Sequence, residues 1–173
     1  MSILTKEEIL KEIEAGTIEI VPFDKKQVGP ASIDLHLGDR IWTFKGINTT
    51  IPVDDRASGA GEALERKNIT GEWLLLPHET VIAITKEEIK LPPTLCGWLE
   101  GRGRFVHLGL SLHTTPGFIQ PGVNGHIFFA ITNLGHAALK IHPGTSVCQL
   151  ILQRTVGKAR YKGMFQHFGT RGA

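Results

Sequence analysis

The chain has 173 residues, a net charge of +2 and a sequence pI near 8.6. That mild balance, with no run of like charges, excludes a broad basic face for nucleic acid, so an anion site has to be built locally. No stretch reaches the roughly 18 apolar residues of a membrane span, and the opening MSILTKEEIL lacks a basic-then-apolar leader, so a soluble cytoplasmic protein without membrane contact is expected. The length fits a single domain over residues 1–173 with a core that needs no staples. Cys96 and Cys148 sit in apolar contexts with no CxxC spacing and are expected to be reduced core residues. Twenty glycines and nine prolines, spread at short intervals, favour many short strands joined by tight turns.

In chain order, Thr5-Lys6-Glu7-Glu8 has the capping-box form. It predicts a short helix with Ile9, Leu10 and Ile13 on one side, ended by Gly16. Residues 17–23 alternate weakly as a strand, which Asp24-Lys25-Lys26 breaks. A second strand follows, with Ile33, Leu35 and Leu37 alternating against Ser32, Asp34 and His36. Residues 54–68 are poor in apolar side chains and are expected to form a long loop, mobile or functional. Strand character returns over residues 73–85 with a turn at Pro77-His78, and residues 87–91 suggest a single helical turn closed by Pro92-Pro93.

Residues 97–133 hold most of the polar and basic groups suited to a site. Gly101-Arg102-Gly103-Arg104 is a turn in which glycines let backbone N–H groups approach an anion and guanidinium groups can grip it in bidentate fashion. The same four residues also suit a solvated loop. An apolar, strand-like run follows over 105–115, then turns at Pro116-Gly117 and Pro121-Gly122, then the alternating strand HIFFAITN. Further strands are predicted over 138–141, 147–153 and 159–161. The tail, from about residue 162 to 173, is expected to be mobile.

The eight histidines include no i, i+2 or i, i+4 pair, and the H-x-E with P-C-x-x-C pattern of zinc deaminases is absent, so no zinc and no protein-held metal is expected. Period-two alternation places His126 on one strand face with Phe128 and Ala130, and His107 and His113 are candidates to lie near the same pocket.

Four segments carry a resemblance. PASIDLHLGDR (30–40), LPPTLCGWLEGRGRFVHLGLSLHTT (91–115), IQPGVNGHIFFAITN (119–133) and IHPGTSVCQLIL (141–152) resemble, in order and at similar spacing, the dCTP deaminase and dUTPase superfamily. The resemblance implies an all-β, distorted jelly-roll with a short N-terminal helix. It also implies a homotrimer with nucleotide sites between subunits, a C-terminal tail closing over the triphosphate, and Mg2+ carried on the phosphates. Arg102 matches a triphosphate-binding arginine and His113 a hairpin histidine of the deaminases. Gln149 resembles a position in the dUTPase branch, and Lys162 and Gln166 have the spacing of a phosphate-binding pair in the tail. Arg104 has no counterpart but shares the turn with Arg102.

The catalytic positions implied by the resemblance are substituted. Ala130 stands where a deaminase has its proton-shuttling Glu, Gly103 and His107 where a Ser and an Arg order the water, and Gln120 where a dUTPase has its base. Ala130 accepts no proton and Gln120 cannot act as a base. Three readings follow: a protein converting dCTP to dUTP and ammonia with groups supplied differently, with His113 and His126 as candidates; a catalytically silent nucleotide-binding or structural trimer; and a dUTP diphosphatase.

Overall fold

A computed structural model of the chain describes residues 2–46, 50–51, 53, 60–113 and 117–163. Helix α1 spans Lys6–Glu14, burying Ile9 and packing Leu10 and Ile13 against the core. The expected capping box does not form. Thr5 stands at the N-cap but makes no side-chain cap bond, and Glu8 pairs with Lys11 at 2.7 Å instead. The chain is fixed at this helix start by a tertiary bond, Lys6 N–H to the Pro30 carbonyl at 2.8 Å. A capping box forms at a place the pattern did not flag. There the Asp24 carboxylate accepts from Lys26 N–H at 2.9 Å and the Gln27 side-chain oxygen accepts from Asp24 N–H at 2.7 Å, closing a 3-10 turn over Lys25–Gln27.

Strands β1 (Glu19–Val21), β2 (Ile33–Phe44), β3 (Leu64–Asn68), β5 (Thr80–Lys90), β6 (Leu95–Gly101), β7 (Leu110–His113), β8 (Phe118–Ile119), β9 (Asn124–Asn133) and β11 (Ser146–Arg154) form one curled antiparallel sheet. Its order is β7-β9-β5-β2-β11-β6-β8, with β1 added to β5 and β3 to β2. A separate ribbon pairs β4 (Trp73–Leu75) with β10 (Leu139–Ile141). This is the distorted, all-β jelly-roll with a short N-terminal helix. Alternation drives it: Ile33, Leu35, Leu37 and Ile41 of β2 are fully buried, and β9 buries every second residue from Gly125 to Asn133. Asn133 is the polar member of that row, and its amide bonds the Leu75 and Ala137 carbonyls while its oxygen accepts from Gly135 N–H.

Four expectations are corrected. Residues 87–91 are not a helical turn but the end of β5, where Glu88, Ile89 and Lys90 pair with both β1 and β9. The buried row of β5 runs in one phase from Val81 to Ile89, but polar Thr85 and Glu87 fill two of its inward positions, so no apolar alternation marks the segment as strand. The loop expected over 54–68 is, in its described part, a short helix at Ala60–Ala63 followed by edge strand β3, which β2 zips up through its backbone despite the charged LERKN sequence. The apolar run after the Gly/Arg turn begins as a 3-10 helix, Gly103–Leu108, ended by Gly109 in the left-handed region (φ 75°), before becoming β7. Residues 159–161 are not a strand, although Ala159 and Tyr161 N–H groups bond the Pro93 and Pro121 carbonyls at 3.0 and 2.8 Å.

Cys96 and Cys148 are free and buried, as expected. Burial pushes both thiols above their ordinary value, and at Cys148 the Glu87 and Asp34 carboxylates add to the effect while Arg102 opposes it. Reactivity follows the thiolate, so neither is a nucleophile at neutral pH.

Candidate functional site

The Gly/Arg turn lies where β6 hands the chain to the 3-10 helix, and Arg102 is the pivot. Its N–H bonds the Val147 carbonyl at 3.2 Å, which ties the turn to β11. Its guanidinium pairs with Asp34 on β2, and Nη1 donates to Ser146 Oγ at 3.3 Å. The sheet order explains this meeting: β11 lies between β2 and β6, so Asp34, Gln149 and Glu100 stand side by side across three strands. The partner of Arg102 is therefore Asp34 rather than the sequence-adjacent Glu100. With Arg102 17 % and Asp34 26 % exposed, the pair is half-buried yet reachable by a ligand.

Gln149 is held by Ser32 Oγ at 3.1 Å beside Asp34, which places it next to the Arg102 pair. Arg104, one residue beyond Gly103, is exposed. Lys162 is exposed too, in a segment whose preceding Tyr161 is bonded to the Pro121 carbonyl, so Lys162 lies near the Gln120–Gly122 turn. Gln166 lies outside the described residues, as do residues 164–173 of the expected mobile tail.

Of the two candidate histidines, the structure sets His113 in register with Ala130 and leaves His126 further along the strand. Ala130 on β9 is flanked in register by Ile82 of β5 and His113 of β7. His126 shares its strand face, as alternation predicts, but stands four residues along, about 14 Å at strand rise. Its ring is tied down by Nδ1 donating to the Thr85 carbonyl at 2.8 Å and by Glu88 3.5 Å from Nε2. His126 lines a cleft of about 330 Å3 with Arg40 and Lys86, away from the Arg102 turn. Phe128, between His126 and Ala130, packs its ring 5.2 Å from that of Trp42. Gly103 and His107 are exposed on the 3-10 helix, and Gln120 is exposed after β8.

Beside the Arg102 pair the structure opens a cleft of about 290 Å3 between the Asp24–Gln27 turn and strands β2, β5 and β11. Two lysines, Lys26 and Lys86, and three carboxylates, Asp24, Asp34 and Glu87, line it together with His36 and Ser146. Glu87 and His36 were not candidates in the sequence. The one signal available was Glu87's place within a strand that needs a bulge to accommodate it, and that bulge is invisible without β9.

Among the described residues no group of three His, Cys, Asp or Glu side chains could hold a metal. Of the carboxylates lining the cleft, Asp34 is paired with Arg102, and Glu87 is bonded by Gln27 and His36.

The family model described as dCTP deaminase-like matches residues 3–155. A dCTP deaminase, dUMP-forming, of Methanosphaera stadtmanae is 35 % identical over 158 residues, which cover 88 % of this chain and 79 % of that protein. Among solved structures, 2'-deoxycytidine 5'-triphosphate deaminase from Agrobacterium tumefaciens superposes with a TM-score of 0.69 at 17 % identity over 87 % of this chain. This chain spans only 46 % of that one. A mutant dUTPase of phage phi11 of S. aureus, described as coordinating a structural Mg(II) ion, matches 86 % of this chain and 97 % of its own at TM-score 0.53 and 14 % identity. The structural likenesses concern the fold, whereas the family match and the 35 % relative run through the Arg102 turn and β9. The chain belongs to the dCTP deaminase-like family.

Proposed function

We infer that this chain is a pyrimidine deoxynucleotide-binding member of its family. On this reading it takes dCTP or dUTP by the triphosphate at Arg102, as the Mg2+ complex, in a cytoplasmic homotrimer, and does not deaminate the base. Arg102 is half-buried, pre-oriented by Asp34 and Ser146, and borders a cleft edged by two lysines, which suits a chain of phosphates. Gln149 lies beside Asp34, and Arg104 and Lys162 are exposed, where a ligand can reach them.

The single observation that carries the loss of deamination is the surroundings of Ala130. Hydrolytic deamination needs a group that takes a proton from water and delivers it to the leaving ammonia. Ala130 offers none, its β5 neighbour is Ile82, and His126 stands about 14 Å along the strand and is bonded elsewhere; His113, its β7 neighbour, is the one titratable residue in register with it and puts an imidazole in place of the carboxylate the reaction uses. The family scaffold alone points to conversion of dCTP to dUTP and ammonia, and the residues oppose it. The dUTP diphosphatase reading lacks its implied base, because Gln120 is an amide.

The test is calorimetric titration with dCTP, dUTP and dTTP in magnesium, followed by a day-long incubation analysed for ammonia and uracil nucleotides. Binding of a triphosphate without ammonia release is the expected result. Ammonia release from dCTP sinks the loss of deamination, and absence of binding sinks the nucleotide reading.

A further inference from the structure

The turn over residues 76–79 goes against a local preference. Pro77 and His78 are its central residues, and Glu79 N–H closes it on the Leu76 carbonyl at 3.1 Å. A turn with proline first and a left-handed residue second favours glycine at the second place. His78 stands there instead at φ 64°, the one non-glycine residue with positive φ among the described residues. Such backbone strain persists only where the surroundings hold it, and it gathers at functional sites.

Asn133 does the holding. Fully buried, it accepts from His78 N–H at 2.8 Å through its main-chain carbonyl and donates its own N–H to the Glu79 carbonyl at 3.0 Å. Its side chain shapes the turn after β9, the amide donating to the Ala137 carbonyl at 2.8 Å and the oxygen accepting from Gly135 N–H at 3.0 Å. Because Thr80 at the start of β5 pairs with Thr132 near the end of β9, the turn before one strand and the turn after the other share one end of the sheet. Each turn carries a histidine. The His78 and His136 rings lie with centres 5.9 Å apart and planes at 77°. Both residues are exposed, and among the described residues no ring nitrogen of either makes a hydrogen bond or ion pair.

Two imidazoles held together with their nitrogens unused are a chelate for a borderline divalent ion. Ring nitrogens sit about 2.0–2.1 Å from bound Zn2+, which puts the centres of two rings on one ion about 5–6 Å apart. The 5.9 Å spacing therefore needs only rotation of exposed side chains, a ps–ns motion. The donors also select the ion, since imidazole suits Zn2+, Cu2+ and Ni2+ whereas Mg2+ and Ca2+ take oxygen ligands. The neighbouring carboxylate, Glu79, is turned back onto Leu76 N–H at 2.8 Å, and no third His, Cys, Asp or Glu among the described residues completes a set. The chain thus supplies two of four tetrahedral positions, and water fills the others.

We propose that His78 and His136 form a surface site for a divalent transition-metal ion, Zn2+ in the first instance, which staples the turn before β5 to the turn after β9. Neither histidine lines the cleft beside Arg102, and the site works without a nucleotide.

The experiment takes the full chain, stripped with a chelator and moved into a non-chelating buffer, through a calorimetric titration with ZnCl2 while histidine ring signals are followed by NMR. One Zn2+ per chain is expected, with the His78 and His136 signals moving together and no such response to MgCl2. His78→Gly suits the φ 64° backbone and His136→Ala changes an exposed side chain, so both fold, as melting without metal verifies. Loss of an outer-shell partner alone commonly costs about 10–100-fold in metal affinity, so removing either direct ligand is expected to cost at least that. His136→Gln, which keeps a polar side chain on the turn, shows the same loss. His142→Ala, at an exposed histidine whose Nδ1 lies 3.3 Å from the Gly71 carbonyl, keeps the wild-type affinity. Wild type that binds no Zn2+, or wild-type affinity in either His78→Gly or His136→Ala, overturns the site and leaves an edge-to-face ring contact only.

Discussion

Arg102→Ala separates the proposed phosphate contact of this side chain from its observed pairing with Asp34. As a phosphate ligand, Arg102 makes charge-assisted bonds worth about 1.5–3 kcal/mol, so its removal weakens triphosphate binding by about 10–160-fold. As the partner of Asp34, it also supports the fold. The pair is 17 % and 26 % exposed, between an exposed pair and a buried one. Surface pairs are worth about 0–1 kcal/mol and a broken buried pair costs about 3–5 kcal/mol, so about 1–2 kcal/mol is expected here. For a chain of this size that lowers Tm by about 2–8 °C. The assay is calorimetric titration with dUTP in magnesium beside thermal melting, on Arg102→Ala and on the double variant with Asp34→Asn. Removing the stranded carboxylate recovers part of the Tm but none of the affinity. Wild-type affinity in Arg102→Ala, or recovery of affinity in the double variant, would refute the phosphate contact.

Other outcomes follow from the same geometry. Asp24→Ala loses a formed capping box and costs about 1 kcal/mol in urea unfolding, whereas Thr5→Ala, which deletes no cap bond, stays within about 0.5 kcal/mol; equal costs refute the cap assignment. Gly97→Ala puts a Cβ 2.5 Å from the Ile151 carbonyl oxygen and destabilises by about 1–3 kcal/mol, read as a lower Tm at unchanged secondary structure; a wild-type Tm counts against that strand contact. Cys148 resists alkylation at pH 8 in the folded chain and reacts after denaturation, as followed by mass spectrometry. Above its ordinary value of 9.0 the unfolded thiol ionises while the buried one stays protonated, so this group's contribution is intact below that value and declines as pH rises above it. Ready labelling of native Cys148 contradicts the burial. Combining Gly103→Ser, His107→Arg and Ala130→Glu restores the groups that the family resemblance implies and is expected to produce ammonia from dCTP; none, in a folded variant that binds dCTP, argues that those positions do not correspond.

Alternation made β2 and β9 legible, because each buries one face and a period of two leaves little choice of register. It failed where a neighbour overrides local preference. LERKN has no apolar face to announce β3, yet its backbone pairs with residues 40–44. EEIK suggests a helical turn because the inward positions before Ile89 are held by Thr85 and Glu87, whose partners Ile127, Gln27 and His36 are distant in sequence. Arg102 stood out from glycines and charge, but Asp34 as its partner depends on β11 lying between their strands. The His36–Glu87 contact spans 51 residues and is set by β2 lying against β5, a relation that no local spacing encodes.

The sheet order has a consequence for the growing chain. β2 is made early, by residue 44; β3 and β5, ending at residues 68 and 90, pair mainly with its second half, whereas its first half waits for β11, ending at residue 154. Synthesis runs at about 5–20 residues per second, so one edge of β2 waits several seconds after its first partner exists. During that interval Ile33, Leu35 and Leu37 belong to an open strand edge, the kind of surface that pairs with other chains. Nascent chains held short of β11 are thus the point in this protein's life at which a holdase has most to protect.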